Sequence, residues 1–411
     1  SMIDEGKRFM NSSWLPGQDW YESRATRASP SQHWIGKHSD TSIENLAVTA
    51  VVQALLESTV ERDEVGALYL GNFISGPLNG KEILAGLVAD RIGLPPIPCT
   101  KVEGACASGG IAFRHAYLAV ASGQTDVAIA VGVETMTHAS TKQTTVALNC
   151  AMDNENDGPS GLTFPGLFGL AWRSHEERYG TSRSHVSAVV RKNKSNGLKN
   201  PLAQMGAILS EQEIAASLPI CDPILLFDCC PTSDGAAAVV LVSKEVSKRI
   251  SQHLKHPLVE VLASVQTRGS PNIGGHQDLV SFNANVTAAA QAYEKARVNP
   301  QNIDLVELHD CFSIAEIIDS EDLGLVPRGQ GGYWAIEGRT ALDGDIAINP
   351  SGGLLAKGHP VGATGIGQIY EVTLQLRHQH SNQVQQARLG MTHNLGGAGV
   401  ACTVTILRGN M

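Results

Sequence analysis

The sequence predicts an α/β protein of two similar halves, each with a buried and largely parallel sheet. Apolar runs of the kind found in strands covered on both faces alternate with helical patterns. The same order of elements occurs twice, in residues 65–243 and again in residues 303–407. The composition agrees. Of 411 residues 42 are Gly and only 5% are aromatic, so the core must come from Ala, Val, Ile and Leu packed around tight turns.

In the first half, residues 65–72 (VGALYLGN) read as a strand and residues 97–102 as a second. A helical pattern runs from Ile111 to Ser122, followed by apolar strands at Asp126–Glu134 and Gly235–Ser243. In the second half, Ile303–His309 is a strand and Ile366–His378 a helix behind a Gly-rich turn. Ala387–Thr392 and Val400–Leu407 complete that half as strands. Only residues 393–399 separate this last pair, whereas residues 135–235 occupy the matching place in the first half. Roughly 90 residues are therefore inserted, too many for a plain loop. The insertion is polar, punctuated by Pro and Gly, and helical at Gly166–Tyr179 and His185–Ser195. It suggests a lid or a substrate-binding subdomain.

The net charge of −9 argues against a nucleic-acid-binding surface. No apolar run approaches the ~18 residues of a membrane span. The eight cysteines include no CxxC, and the 14 histidines do not sit beside them at zinc-ligand spacings. A reduced, intracellular protein without a structural metal is expected. Neither end carries a legible address, and the C-terminal tripeptide is not the peroxisomal one. The expected location is cytoplasmic, with import into an organelle left open.

Four stretches carry chemistry. In Glu103–Gly110 (EGACASGG), Cys106 sits in a small-residue turn between a strand and a helix. There the helix dipole should lower its pKa toward the thiolate, and flanking glycines would let amides approach an oxyanion. In Asn349–Gly365 (NPSGGLLAKGHPVGATG), His359 is held among glycines, as a general base paired with a thiol needs to be. The stretch matches neither a Walker loop nor GxGxxG. Glu307–Phe312 (ELHDCF) lies at the carboxyl end of a strand, where α/β sheets place their ligands. Strand alternation would turn His309 and Cys311 to one side. In His393–Gly399 (HNLGGAG), Gly396 could present an amide, and His393 or Asn394 a side-chain donor. For each stretch the plainer alternative is a buried Cys or structural His in a tight turn.

CASGG, NPSGG…KGHPVGATG and the turn near residue 396 resemble the thiolase family. ELHDCF, HNLGG, CCPTSDGAAA (229–238) and GLTFPGLFGL (161–170) resemble its sterol-carrier-protein type. The similarity runs from about residue 41 to residue 407. It implies two βαβαβαββ halves stacked in five layers, with an inserted loop domain in the first. The implied boundaries are an extension at 1–40, a first half at 41–136 and 228–250, the loop domain at 137–227, and a second half at 251–411. It implies a thiolase-type acyltransferase that cleaves 3-ketoacyl-CoA, or condenses acetyl-CoA, through an acyl-cysteine. Cys106 matches the acylated nucleophile and His359 its base. Cys311 matches the acid/base thiol that most thiolases carry where this chain has Asn394. His309 matches a donor of the first oxyanion hole, and the amides of Cys106 and Gly396 match the second. No tightly bound cofactor and no metal are implied. Coenzyme A and acyl-CoA are the expected partners, with a homodimer or homotetramer.

One feature departs from that pattern. The family's opening strand should precede Thr41, yet Ser29–Asp40 holds no apolar run. Either Gln32–Gly36 replaces it or the first 40 residues pack differently. The alternatives to a thiolase are another condensing enzyme of the same fold, which Cys311 and the GHP turn weigh against, and a non-catalytic CoA- or partner-binding protein.

Overall fold

The computed structural model describes residues 9–14, 35–38 and 40–409. Its strands, in chain order, are β1 (Phe9–Trp14), β2 (Ala67–Gly71), β3 (Cys99–Val102), β4 (Val127–Glu134), β5 (Pro219–Cys221), β6 (Ile224–Leu225), β7 (Gly235–Val242), β8 (Val259–Arg268), β9 (Leu305–Glu307), β10 (Ala347–Ile348), β11 (Leu389–Gly396) and β12 (Ala401–Gly409). β5 and β6 form a small hairpin. The other ten make one sheet in the order β10-β9-β11-β12-β8-β1-β7-β4-β2-β3.

That order is a duplication. Read outward from the centre, β1-β7-β4-β2-β3 and β8-β12-β11-β9-β10 follow the same path through each half. In both, the third, fourth and fifth strands are mutually parallel where they pair, and the second runs antiparallel to its neighbours. β4 and β7 are buried at every residue, which is why their sequences are continuous apolar runs rather than alternating ones.

Helices cover the sheet in layers. Helix Ile43–Ser58, started by a Ser42 cap, and helix Leu84–Ile92 line the outer face of the first half. Helix Asn283–Ala296 lies on the outer face of the second half, where helix Ser313–Asp322 packs beside it. Helices Ser108–Ala121 and Thr364–Leu376 pack on one another between the halves and touch strands of both. Within the insertion, helices Phe164–Tyr179 and Arg183–Lys199 share a core with the second half through Phe168, Trp172, Val186 and Val190. They pack directly into that half. Among the described residues, no helix is long and apolar enough to cross a membrane.

Three sequence expectations change. The opening strand is β1, at Phe9–Trp14, far ahead of Ser29–Asp40; its residues (FMNSSW) carry no apolar run to betray it. Gly36 makes only an isolated bridge to Asp234, and Gln32–Trp34 lie outside the described residues. The strand expected at Ile303–His309 ends at Glu307, so His309 and Cys311 stand beyond it. Strand alternation therefore does not orient them. The second half also opens with a strand not among those expected, β8, whose partly alternating sequence (VEVLASVQTR) carries the signal for it.

β1 pairs along its length with β7 and, at Phe9 and Met10, with β8. Removing residues 1–14 would leave the inner edge of β7 and the first residues of β8 unpaired. Melting should fall by at least about 5 °C with increased aggregation; an unchanged melting curve in differential scanning fluorimetry would show that this pairing adds no stability.

Candidate active site

The chain leaves β3 at Val102 and turns once through Ala105–Ala107 before helix Ser108–Ala121 begins. Ala105 takes φ +52°, a left-handed conformation that costs a residue with a Cβ on the order of 1 kcal/mol or more. The Ser108 hydroxyl holds the turn, accepting from Gly104 N (3.0 Å) and donating to Ala105 O (2.6 Å). Cys106 stands on this strained turn, partly exposed. The amide of Gly397 is directed at its sulfur. Gly396 supplies the room, since a Cβ there would lie 2.1 Å from Gly104 O.

Cys106 does not have the lowered pKa expected of a helix N-terminus. Burial pushes the thiol up to about 12; the Gly397 amide opposes this, and Glu134 and Glu103 add to it. Cys106 lies within a turn of 3-10 helix just ahead of the helix proper, and desolvation outweighs the dipole.

His359 comes from the GHP turn after the short helix Gly353–Lys357. Its Nδ1 lies 2.6 Å from Thr364 Oγ1, and that hydroxyl donates onward to Pro360 O (3.1 Å). The hydroxyl has one proton, so Nδ1–H must donate to it and Nε2 keeps its lone pair. Nε2 is buried without a partner. Burial lowers the imidazole pKa to about 3, so the ring is neutral and Nε2 is a base in waiting.

His309 meets His359 edge-on, with ring centroids 4.9 Å apart. Cys106 Sγ and one nitrogen of each ring lie within 4.8 Å of one another. Burial, then the neighbouring His359 and His393, hold His309 far below its ordinary pKa. Cys–His–His is also a zinc-type ligand set. However, His309 Nδ1 accepts from Asn394 Nδ2 (3.1 Å), so only His359 Nε2 offers a free lone pair among these nitrogens. The set fits acid–base work better than a metal.

Cys311 follows in the same loop, 9% exposed, with its thiol pushed well above the ordinary range by burial and then by Cys230 and Cys106. Its carbonyl accepts from Cys230 N (3.1 Å). Asn394 is fully engaged within the protein, and His393 lies beneath the site: its Nδ1 accepts from His309 N (3.4 Å) and its Nε2 pairs with Asn285 Oδ1 (2.9 Å). Of the two side-chain donors the sequence offers there, His393 or Asn394, His393 has both ring nitrogens engaged inside the protein.

Several supporting residues were missed. Asp310 accepts from Leu354 N (2.7 Å) and Leu355 N (3.3 Å), tying the HDCF loop to the helix that delivers His359. Glu134 accepts from Asn72, Phe73, Ile74 and Gly362, joining the end of β4 to the GHP turn; burial raises its pKa to about 7 against these bonds. A carboxylate ending an eight-residue apolar strand was the available signal. Helix Arg183–Lys199 straps the same turn: Lys192 donates to Ile348 O, Lys194 to Leu355 O, and Asn196 to Asn349 O. Among cations of the insertion, Arg173 pairs with Glu176 and Asp222, and Arg183 with Asp228. Lys192 and Lys194 turn inward, whereas Arg191 on the same helix is exposed.

Family models agree with this architecture. "Thiolase, N-terminal domain" matches residues 24–209 and "Thiolase C-terminal domain-like" matches residues 266–409. The acetyl-CoA acetyltransferase of Methanothermobacter thermautotrophicus is 42% identical over 377 residues, 92% of this chain and 97% of that protein. The chain belongs to the thiolase family. It is accordingly a thiolase-type acyltransferase. Sterol carrier protein 2 of Homo sapiens is 32% identical across 91% of this thiolase and 69% of its own length. Among solved structures, the Ltp2-ChsH2(DUF35) aldolase matches with TM-score 0.79 at 21% identity, covering 100% of this chain and 99% of that one. Human mitochondrial 3-ketoacyl-CoA thiolase in complex with CoA matches with TM-score 0.72 at 16% identity, covering 99% and 98%. At these identities the structures show the shared fold.

With the thiol near 12 and the imidazole near 3, the free thiolase holds a neutral pair at pH 7. The thiolate fraction then grows about tenfold per pH unit below the thiol pKa. Alkylation of Cys106 by iodoacetamide should rise steadily from pH 6 to 9; a plateau near neutrality, read by peptide mapping, would reveal a resting ion pair instead.

Proposed function

We propose that this thiolase interconverts 3-ketoacyl-CoA plus CoA with acetyl-CoA and a shortened acyl-CoA, through an acyl group on Cys106. One observation carries the assignment of roles: the Cys106 thiol, His309 and the unpartnered Nε2 of His359 converge from three separate turns. A buried, unpaired nitrogen is costly, and a catalytic base explains it.

In cleavage, Cys106 attacks C3 while its proton passes to His359 Nε2. The C3 oxyanion is received by the Cys106 amide and the Gly396–Gly397 turn. The C2–C3 bond breaks, leaving acyl-Cys106 and the enolate of acetyl-CoA. Its thioester oxygen is held by His309 and by protonated His359. The Cys311 thiol, kept protonated by burial, gives its proton to the enolate carbon. The resulting thiolate takes the proton of incoming CoA, whose sulfur attacks the acyl-Cys106 carbonyl. His359 returns its proton as the Cys106 thiol leaves. Condensation is the reverse.

The lid role expected for residues 137–227 is proposed here as the wall of the acyl-CoA site, supported by the way helix Arg183–Lys199 straps the catalytic turn. A homo-oligomer is proposed as well. β3 lies at the end of the sheet, pairs on one edge with β2, and is partly exposed, which suits cover by a second copy. All eight cysteines are free, which supports a reducing, cytoplasmic setting.

Cys311→Ala separates the two half-reactions. Acetyl-CoA should still acylate Cys106 stoichiometrically, seen by intact mass and peptide mapping, while acetoacetyl-CoA formation falls on the order of 10²-fold or more. Full condensation activity would assign the carbon proton to another group, and absence of any acyl-Cys106 in the otherwise native protein would remove the nucleophile.

A further inference from the structure

Asn394 occupies a pocket that only glycines permit. A Cβ on Gly110 would lie 3.1 Å from its Oδ1, and one on Gly365 would lie 2.3 Å from the same atom. Two of its three amide contacts are unambiguous in polarity. Nδ2 donates to Cys106 O (2.9 Å), a carbonyl that can only accept, and Oδ1 accepts from Gly110 N (3.3 Å), which can only donate. The amide therefore cannot be flipped. Its second Nδ2 proton faces His309 Nδ1 at 3.1 Å.

His309 is neutral, because burial and its histidine neighbours hold its pKa far down. A neutral imidazole has one N–H. With Nδ1 accepting from Asn394, that proton must sit on Nε2. We propose that Asn394 is a positioning residue that fixes His309 as the Nε2–H tautomer, so that the ring is a hydrogen-bond donor to the substrate oxygen rather than a second base beside His359. The proposal rests on the acyl-transfer reading above for the identity of that oxygen. The tautomer assignment itself rests only on the amide geometry.

The consequence is a division of labour between two adjacent imidazoles. Thr364 accepts from His359 Nδ1 and leaves Nε2 a lone pair; Asn394 donates to His309 Nδ1 and leaves Nε2 a proton. A base and a donor thus stand 4.9 Å apart, centroid to centroid, without either being charged. Because Asn394 also grips the Cys106 carbonyl, the donor ring and the nucleophile are held to one amide. Asn394 touches neither substrate nor the reacting sulfur; it acts through His309.

The test is the ring-nitrogen spectrum of the full-length enzyme labelled with 15N-histidine, with His309 assigned from the signal lost in His309→Gln. The wild type should show His309 Nδ1 at the shift of an unprotonated nitrogen and Nε2 at that of a protonated one. Asn394→Leu, similar in shape but without a donor, should move both resonances toward each other as the tautomers mix. In the same variant kcat for acetoacetyl-CoA formation should fall on the order of 10²-fold, the usual worth of one oxyanion donor, with KM for acetyl-CoA little changed. Asn394→Ala serves if the leucine variant does not fold. A protonated Nδ1 in the wild type, or wild-type nitrogen shifts in the folded variants, would overturn the proposal. Mixed tautomers with undiminished kcat would uphold the tautomer assignment and instead overturn the substrate-facing role given to His309.

Discussion

The two halves must approach to backbone contact at the start of their central helices. A Cβ on Gly109 would lie 2.9 Å from Gly362 O, and one on Gly132 only 2.5 Å from the same oxygen. Any side chain at these positions would wedge the CASGG turn away from the GHP turn. Cys106 and His359 would then separate, since each is carried by one of those turns. The duplicated fold creates this meeting point, because the two central helices pack against each other between equivalent sheets. Small residues are a geometric requirement there rather than a compositional habit.

Holding a polar site so deep in the molecule needs an unusually polar support. Lys357 is buried near Glu371 (3.4 Å) and Glu307 (3.9 Å), and Glu371 also meets His380 (2.9 Å). Asn193 bridges Asp310 and Glu316 with one amide nitrogen. Buried ions of this kind contribute little net stability, but each is expensive to leave unpaired. They therefore select one arrangement of the catalytic turns over its neighbours. The inserted helix Arg183–Lys199 supplies much of this network, which ties the insertion to catalysis from below.

Electrostatically, the resting site is quiet. The same burial raises the thiol pKa to about 12 and lowers the His359 pKa to about 3, so neither group pays for a charge before substrate arrives. Charge is created only when it can be passed to a carbonyl oxygen facing prepared donors. That ordering favours interactions that strengthen in the transition state.

Much of the site could be read from the chain itself. Cys106 in its small-residue turn, His359 among glycines and the HDCF cluster are local patterns, and turn chemistry is decided by residues adjacent in sequence. The alternating halves were legible for the same reason, since β4 and β7 are apolar throughout and helices announce themselves by period. Tertiary structure decided what depends on distant partners. β1 is a strand because β7 and β8 offer it edges, not because FMNSSW looks like one. The Cys106 pKa moves opposite to the local helix-dipole expectation because burial is a property of the whole fold. His393 and Asn394 are neighbours in sequence with opposite duties. One is sunk against Asn285 and the other poised between Cys106 and His309, 288 and 85 residues away. Sequence determines which groups are available; proton positions and charge states follow from which of them the fold brings within hydrogen-bonding reach.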